Sequence, residues 1–130
     1  MKVVVDENLA PRLARALNEL FKGTHEVVHI RDLFGPAVTD LEWIPELSRQ
    51  GHWIVISGDR GIRKKKAEYN AFRASRLIGF FLSAGLMKAP LVKQAERILA
   101  LWESIEAFAE RSQSGSMFEL PMTSTRIGTL

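Results

Sequence analysis

At 130 residues, 46% of them hydrophobic, the chain is long enough to close one ordinary globular core, and nothing in its composition calls for a second domain. The absence of cysteine excludes disulfide, thiolate-metal and cysteine-nucleophile chemistry and leaves carboxylates, histidines and hydroxyls as the reactive groups. A net charge of +3 with a pI near 9.5 leans toward an anionic partner. No apolar run approaches the roughly 18 residues of a membrane span, and Lys2 leads straight into a strand signal, unlike a signal peptide, so a cytoplasmic protein with no membrane contact is expected.

In chain order, Val3-Val4-Val5 is a β-branched run that reads as a short strand buried on both faces, the appearance of a parallel strand in an α/β sheet. The polar triplet Asp6-Glu7-Asn8 follows where that strand ends. Leu9, Leu13, Leu17, Leu20 and Phe21 then recur at helical spacing, with Pro11 suited to the first turn, Asn8 to the N-cap and Gly23 to the stop. His25 to Ile30 is a second short strand, and a strand–helix–strand unit this compact predicts parallel pairing through a right-handed crossover. Gly35-Pro36 breaks the chain. Thr39-Asp40-Leu41-Glu42 has the capping-box pattern and starts a helix running to about Gln50, with a separate or kinked first turn expected at Pro45.

Trp53 to Ile56 is the third strand and ends in Ser57-Gly58-Asp59-Arg60-Gly61. A basic helix is expected from Arg63 to Ser75, a fourth strand over Leu77 to Leu82, and one long helix from about Pro90 to Arg111 with an apolar stripe of Val92, Ala95, Ile98, Leu99, Trp102, Ile105 and Phe108. That stripe reads as core rather than as a cofactor box. Residues 112–116 read as a flexible joint, after which Met117 to Leu120 and Arg126 to Gly128 are short edge strands of the same domain, 1–130. The fold class is α/β, with a mainly parallel central sheet.

In open sheets of this class the functional crevice lies beyond the carboxyl ends of the strands. Asp6 and Asp59 both follow apolar strands, and Asp40 opens the second helix. If these strands are neighbours, three carboxylates converge on one cleft, where their repulsion calls for a cation. Mg²⁺ or Mn²⁺ takes oxygen ligands and can activate water against a phosphodiester. At about 100° per residue Asp40 shares a face with Leu41, Ile44 and Leu47, whereas Glu42 lies nearly opposite and has a ready role as the partner of Thr39. Asp40 is therefore favoured over Glu42 as the inward acid. Glu7 reads as a solvated neighbour. Asn8 either caps its helix or touches Asp6 or a substrate phosphate. The Arg60, Arg63, Lys64, Lys65, Lys66 cluster is a solvated helix face that could also hold a phosphate backbone. His25, His29 and His52 lack metal-ligand spacing.

The segments Val3-Val4-Val5-Asp6-Glu7-Asn8-Leu9-Ala10-Pro11-Arg12-Leu13, Thr39-Asp40-Leu41-Glu42-Trp43 and Val55-Ile56-Ser57-Gly58-Asp59-Arg60, in this order and spacing, resemble the PIN-like domain family and within it the short VapC-type toxins that open with an Asp-Glu-Asn signature. The resemblance extends over nearly the whole chain. It implies a three-layer α/β/α sandwich and a Mg²⁺- or Mn²⁺-dependent ribonuclease, often the toxin of a toxin–antitoxin pair, so that RNA is the substrate, an antitoxin protein the partner and a homodimer one assembly. Carried over by position, Asp6 matches the first-strand acid, Asp40 or Glu42 the middle acid, and Ser57 with Asp59 the Thr-x-Asp element. Asp6, Asp40 and Asp59, with Glu42 as a further ligand, are then the metal and catalytic set, and Asn8, Ser57, Arg60, Arg63 and Lys64 the substrate contacts. One departure stands out, because many relatives carry a further acid where this chain has Gly61.

Two rival readings belong to other classes. A receiver-like signalling domain also has an acidic pair after its first strand, a phosphoacceptor Asp, a hydroxyl residue and a Lys, which Asp6-Glu7, Asp59, Ser83 and Lys88 imitate. That set leaves Asp40 and the basic segment without a role. The other reading is a catalytically silent PIN-like module that binds a protein partner.

Overall fold

The computed structural model describes the whole chain, Met1–Leu130. Its centre is β1 (Lys2–Val5), whose three valines are completely buried, as expected of a β-branched run sandwiched between two layers. The sheet has six strands in the order β2-β1-β3-β4-β5-β6, with β2 at Glu26–His29, β3 at Trp53–Ser57, β4 at Ile78–Leu82, β5 at Met117–Leu120 and β6 at Gly128–Thr129. The first five are parallel, and β6 runs antiparallel to β5 at the edge. Strand order reverses at β1, which pairs with β2 on one side and β3 on the other.

Alternating side chains send two apolar sets to opposite faces of this sheet. Val3, Val5, Ile54, Ile56, Ile78 and Phe80 pack against α1 (Pro11–Leu20), α6 (Leu91–Ala100) and α7 (Trp102–Arg111). Val4, Val55 and Phe81 pack on the other face against α2 (Ile30–Phe34), α3 (Asp40–Gln50) and α4 (Lys66–Arg73). The result is the three-layer α/β/α sandwich with a mainly parallel sheet expected from the sequence. No helix is long and apolar enough to cross a membrane.

Several local expectations are corrected. The N-cap of α1 is Ala10, with Pro11 in the first turn, and Asn8 is released for another contact. Pro45 sits in the middle of α3, and the helix runs on through it as one element, at the cost of a single backbone bond. Leu41 is exposed and Trp43 takes the inward position beside Ile44 and Leu47. The basic helix is two pieces, a 3-10 turn at Arg60–Lys64 and α4, joined at Lys65. The long carboxyl-terminal helix is also two, broken at Leu101, and Val92 and Leu99 face solvent while Ile98, Trp102 and Ile105 are in the core. Two short helices, α2 and α5 (Ala84–Met87), gave no periodic signal, being barely a turn long.

The 112–116 segment is anchored rather than left as a loose joint. Gly115 N–H donates to the Leu77 carbonyl at 2.7 Å, Gly79 N–H donates to the Ser116 carbonyl at 2.9 Å, and Arg73 Nη1 donates to the Gly115 carbonyl at 3.2 Å. These bonds deliver β5 into the sheet interior beside β4, so of the two carboxyl-terminal strands only β6 lies at an edge.

Candidate functional site

Because β1 and β3 are parallel neighbours with Val5 opposite Ile56, their chains leave the sheet side by side at its carboxyl end. The backbone pairing continues one step further, Asp6 N–H donating to the Ile56 carbonyl at 2.9 Å. Asp6 is thereby set directly against Ser57, whose hydroxyl donates to Asp6 Oδ2 at 2.8 Å. The same Ser57 oxygen accepts the Asp59 N–H at 3.0 Å, and Asp6 Oδ1 accepts the Glu7 N–H at 2.7 Å. One hydroxyl therefore couples the acid of the first strand to the loop that carries the acid of the third. Asn8 reinforces the link, its Oδ1 accepting the Gly58 N–H at 3.0 Å.

The third acid comes from α3. Its first turn points at the carboxyl end of the sheet, and Trp43, one turn on, donates its Nε1–H to Asp40 Oδ1 at 3.0 Å. Asp6, Asp40 and Asp59 line one narrow cleft with Trp43 and Ser57, over an apolar floor of Val55, Ile62, Phe72 and Phe81. A roomier hollow near Met1, His52 and Glu110 lies at the opposite, amino-terminal ends of the strands.

Electrostatics at the cleft are strained in the way expected of gathered carboxylates. Burial raises the pKa of Asp6, and the charges of Asp40 and Asp59 raise it further, against the lowering effect of the Ser57 and Glu7 hydrogen bonds. Burial also raises Asp40, with Asp59 and Glu68 adding to it, while the Trp43 bond and the Lys65 charge oppose the rise. Asp59 is not left bare, since its Oδ2 accepts Lys65 Nζ at 3.0 Å.

The donor chemistry fits a hard divalent ion: three carboxylates and a hydroxyl line one recess. The acids stand within Coulombic reach of one another, yet no three Asp, Glu or His side chains are drawn together closely enough to enclose an ion in this arrangement.

The remaining expected residues divide. Glu42 is exposed and turned back on Thr39, its Oε1 accepting the Thr39 N–H at 3.0 Å and hydroxyl at 2.8 Å, bonds that hold its carboxyl below the ordinary range. It does not join the cleft. Glu7 pairs with Arg31 of α2, while its Oε2 is enclosed without a hydrogen-bond partner. Arg63 and Lys64 are exposed at the end of the 3-10 turn. Arg60 is engaged instead with Glu119 of β5, its Nε donating to Oε2 at 2.8 Å. Ser83, which the receiver-like reading needed as an active hydroxyl, caps α5 by accepting the Leu86 N–H. His29 is buried with Nε2 against the Leu9 carbonyl at 2.8 Å, a structural role.

Three functional neighbours were missed. Trp43 was read only as part of a motif and Lys65 only as one of a basic cluster. Glu119 carried a usable signal, as a lone charge in an otherwise apolar strand whose alternation with Met117 puts it on the Val55 and Phe81 face.

Residues 1–84 match the family model described as PIN like domain. No curated protein and no solved structure matches the chain. The match spans β1 through β4 and so includes all three acids of the cleft, although it stops short of the carboxyl-terminal part of the resemblance. On the strength of that match, the parallel sheet and the acids at its carboxyl end, the chain belongs to the PIN-like domain family.

Proposed function

We propose that the protein is a Mg²⁺- or Mn²⁺-dependent endoribonuclease, acting as the toxin of a toxin–antitoxin pair in the cytoplasm. The observation that carries the catalytic part is the convergence of Asp6, Asp40 and Asp59, remote in sequence, on one cleft beyond the carboxyl ends of β1 and β3. The pairing with an antitoxin, and a homodimeric assembly, rest on the likeness of the Asp6-Glu7-Asn8 and Thr39 to Trp43 segments to VapC-type toxins.

In this reading Asp6 is the fixed ligand, because Ser57 and the Glu7 amide hold both of its oxygens in place. Asp40 and Asp59 are the adjustable ones, each with one carboxylate oxygen free of a hydrogen bond to the protein. A bound divalent ion would polarise the scissile phosphate and lower the cost of deprotonating water. Arg63 and Lys64 would steady the RNA backbone beside the cleft, with Arg60 held at its rim by Glu119. Ser57 and Asn8 serve by positioning Asp6 and the Gly58–Asp59 loop rather than by touching RNA.

The test is cleavage of single-stranded and structured RNA with Mn²⁺, with Mg²⁺ and with EDTA, beside the Asp6→Asn and Asp59→Asn variants. Metal-dependent cutting that both variants lose supports the assignment, whereas wild-type rates in Asp6→Asn end it. A second reading, a PIN-like module that binds a protein without cutting, draws on Gly61 in place of a further acid and on the Lys65 ion pair at Asp59. It is supported instead if no metal restores cleavage while a partner protein binds tightly.

A further inference from the structure

A cation already stands at the rim of the cleft. Lys65 joins the 3-10 turn to α4, and from that junction its Nζ reaches Asp59 Oδ2 at 3.0 Å. Asp40 and Glu68 face the same ammonium closely enough to stabilise its charge. Asp59 thus has one oxygen committed to Lys65. Its other oxygen, Oδ1, lies only 3.1 Å from where a Cβ on residue 61 would stand, so the glycine there leaves Asp59 room that an acidic side chain would contest.

We propose that Lys65 is a resident counterion of the metal site, which offsets the charge of Asp59 in the metal-free protein and competes by its own charge against a divalent ion. The inference rests on the reading of Asp6, Asp40 and Asp59 as a metal site. Asp59 Oδ1 stays open to a metal, but an ammonium on Oδ2 of the same carboxylate stands a few Å from that ion, and the like charges repel each other. Lysine suits the role because its charge sits on a flexible four-carbon stem, so that Nζ can swing out to solvent, or to a phosphate, without moving the backbone. The side chain is about half exposed (48%), which leaves that exit open. The acidic set lacks a residue at Gly61, and Lys65 supplies a positive charge beside the acids that remain. Metal affinity is correspondingly reduced when no nucleic acid is present to take the lysine up.

The experiment measures Mn²⁺ binding to the full chain directly, by the loss of the free-ion EPR signal, for wild type, Lys65→Met and Lys65→Arg, with no RNA present. Lys65→Met is expected to bind Mn²⁺ about fivefold or more tightly than wild type, the low end of a typical coupling between two sites, and Lys65→Arg to stay near wild type. The same Lys65→Met protein is expected to melt at a lower temperature than wild type in EDTA, and to gain more from added Mn²⁺. Equal Mn²⁺ affinity in all three proteins overturns the role of Lys65 and leaves the metal site standing. No measurable Mn²⁺ binding in any of them overturns the metal site and this inference with it.

Discussion

At the scale of single residues, the cleft trades stability for charge. Asp6 is only 9% exposed and its folded pKa lies above the ordinary 3.8, so between those two values the folded chain binds a proton that the unfolded chain has lost. Stability contributed by this residue is therefore greatest when it is protonated and falls as pH rises through that window. Asp6→Asn, which keeps an acceptor for Ser57, should raise the melting temperature of the metal-free protein at neutral pH by about 3 °C or more, the equivalent of roughly 0.5–1 kcal/mol. The gain should fade as the pH is brought below 3.8, where the wild-type carboxyl becomes neutral in both states. Scanning calorimetry of both proteins in EDTA over that range checks it. The same substitution abolishes cleavage under the proposed function, so stability and activity move in opposite directions. Ser57→Ala has the reverse signature. It strands Asp6 Oδ2 and the Asp59 N–H, and should cost about 1–3 kcal/mol in denaturant unfolding, with weakened metal binding as well.

At the scale of elements, the turns between helix and strand decide where the acids stand. The 112–116 segment illustrates the constraint most sharply. Gly115 has φ +84°, and a Cβ placed on it would lie 2.2 Å from the Arg73 carbonyl oxygen, which is backbone and has nowhere to go. Gly23 has a similar φ of +90° with open space around it. Gly115→Ala should therefore destabilise by about 3 kcal/mol or more, and Gly23→Ala by only about 1 kcal/mol, a contrast that urea titration of the two variants would expose. Much of the fold at this scale was legible beforehand. Val3 to Val5, Trp53 to Ile56 and the Thr39–Glu42 capping pattern each announced their element through local chemistry, and each formed where expected. The breaks at Leu101 and Lys65 were not legible, because neither falls at a glycine or a proline and the helical spacing continues across both.

At the scale of the whole molecule, the family match and the folding unit have different limits. The match ends at residue 84, but the core on the α1 face is completed by Leu86, Ile98, Leu101, Trp102, Ile105, Leu120 and Ile127. Burial of each such side chain is worth about 1.5–3 kcal/mol, so their combined loss, roughly 10–20 kcal/mol, is as large as the roughly 5–15 kcal/mol stability of an entire domain. A protein ending at residue 84 should therefore lack a cooperative thermal transition, as circular dichroism would show, even though all three acids are present in it. Loss of β5 would also uncover β4 and remove Glu119, the partner that holds Arg60.

Local physics along the chain was enough to specify the α/β class, the short buried strands and the placing of Asp6, Asp40 and Asp59 at element ends, because periodicity and capping act over a few residues. Which acid of α3 turns inward also followed from helical angles, and Glu42 indeed folds back on Thr39. Only the tertiary structure decided that Asn8 holds Gly58, that Arg60 is claimed by Glu119 and that Lys65 occupies Asp59. Those pairings join residues through parallel strand register and the packing of the 3-10 turn over the sheet, and no spacing along the chain encodes which charge will find which.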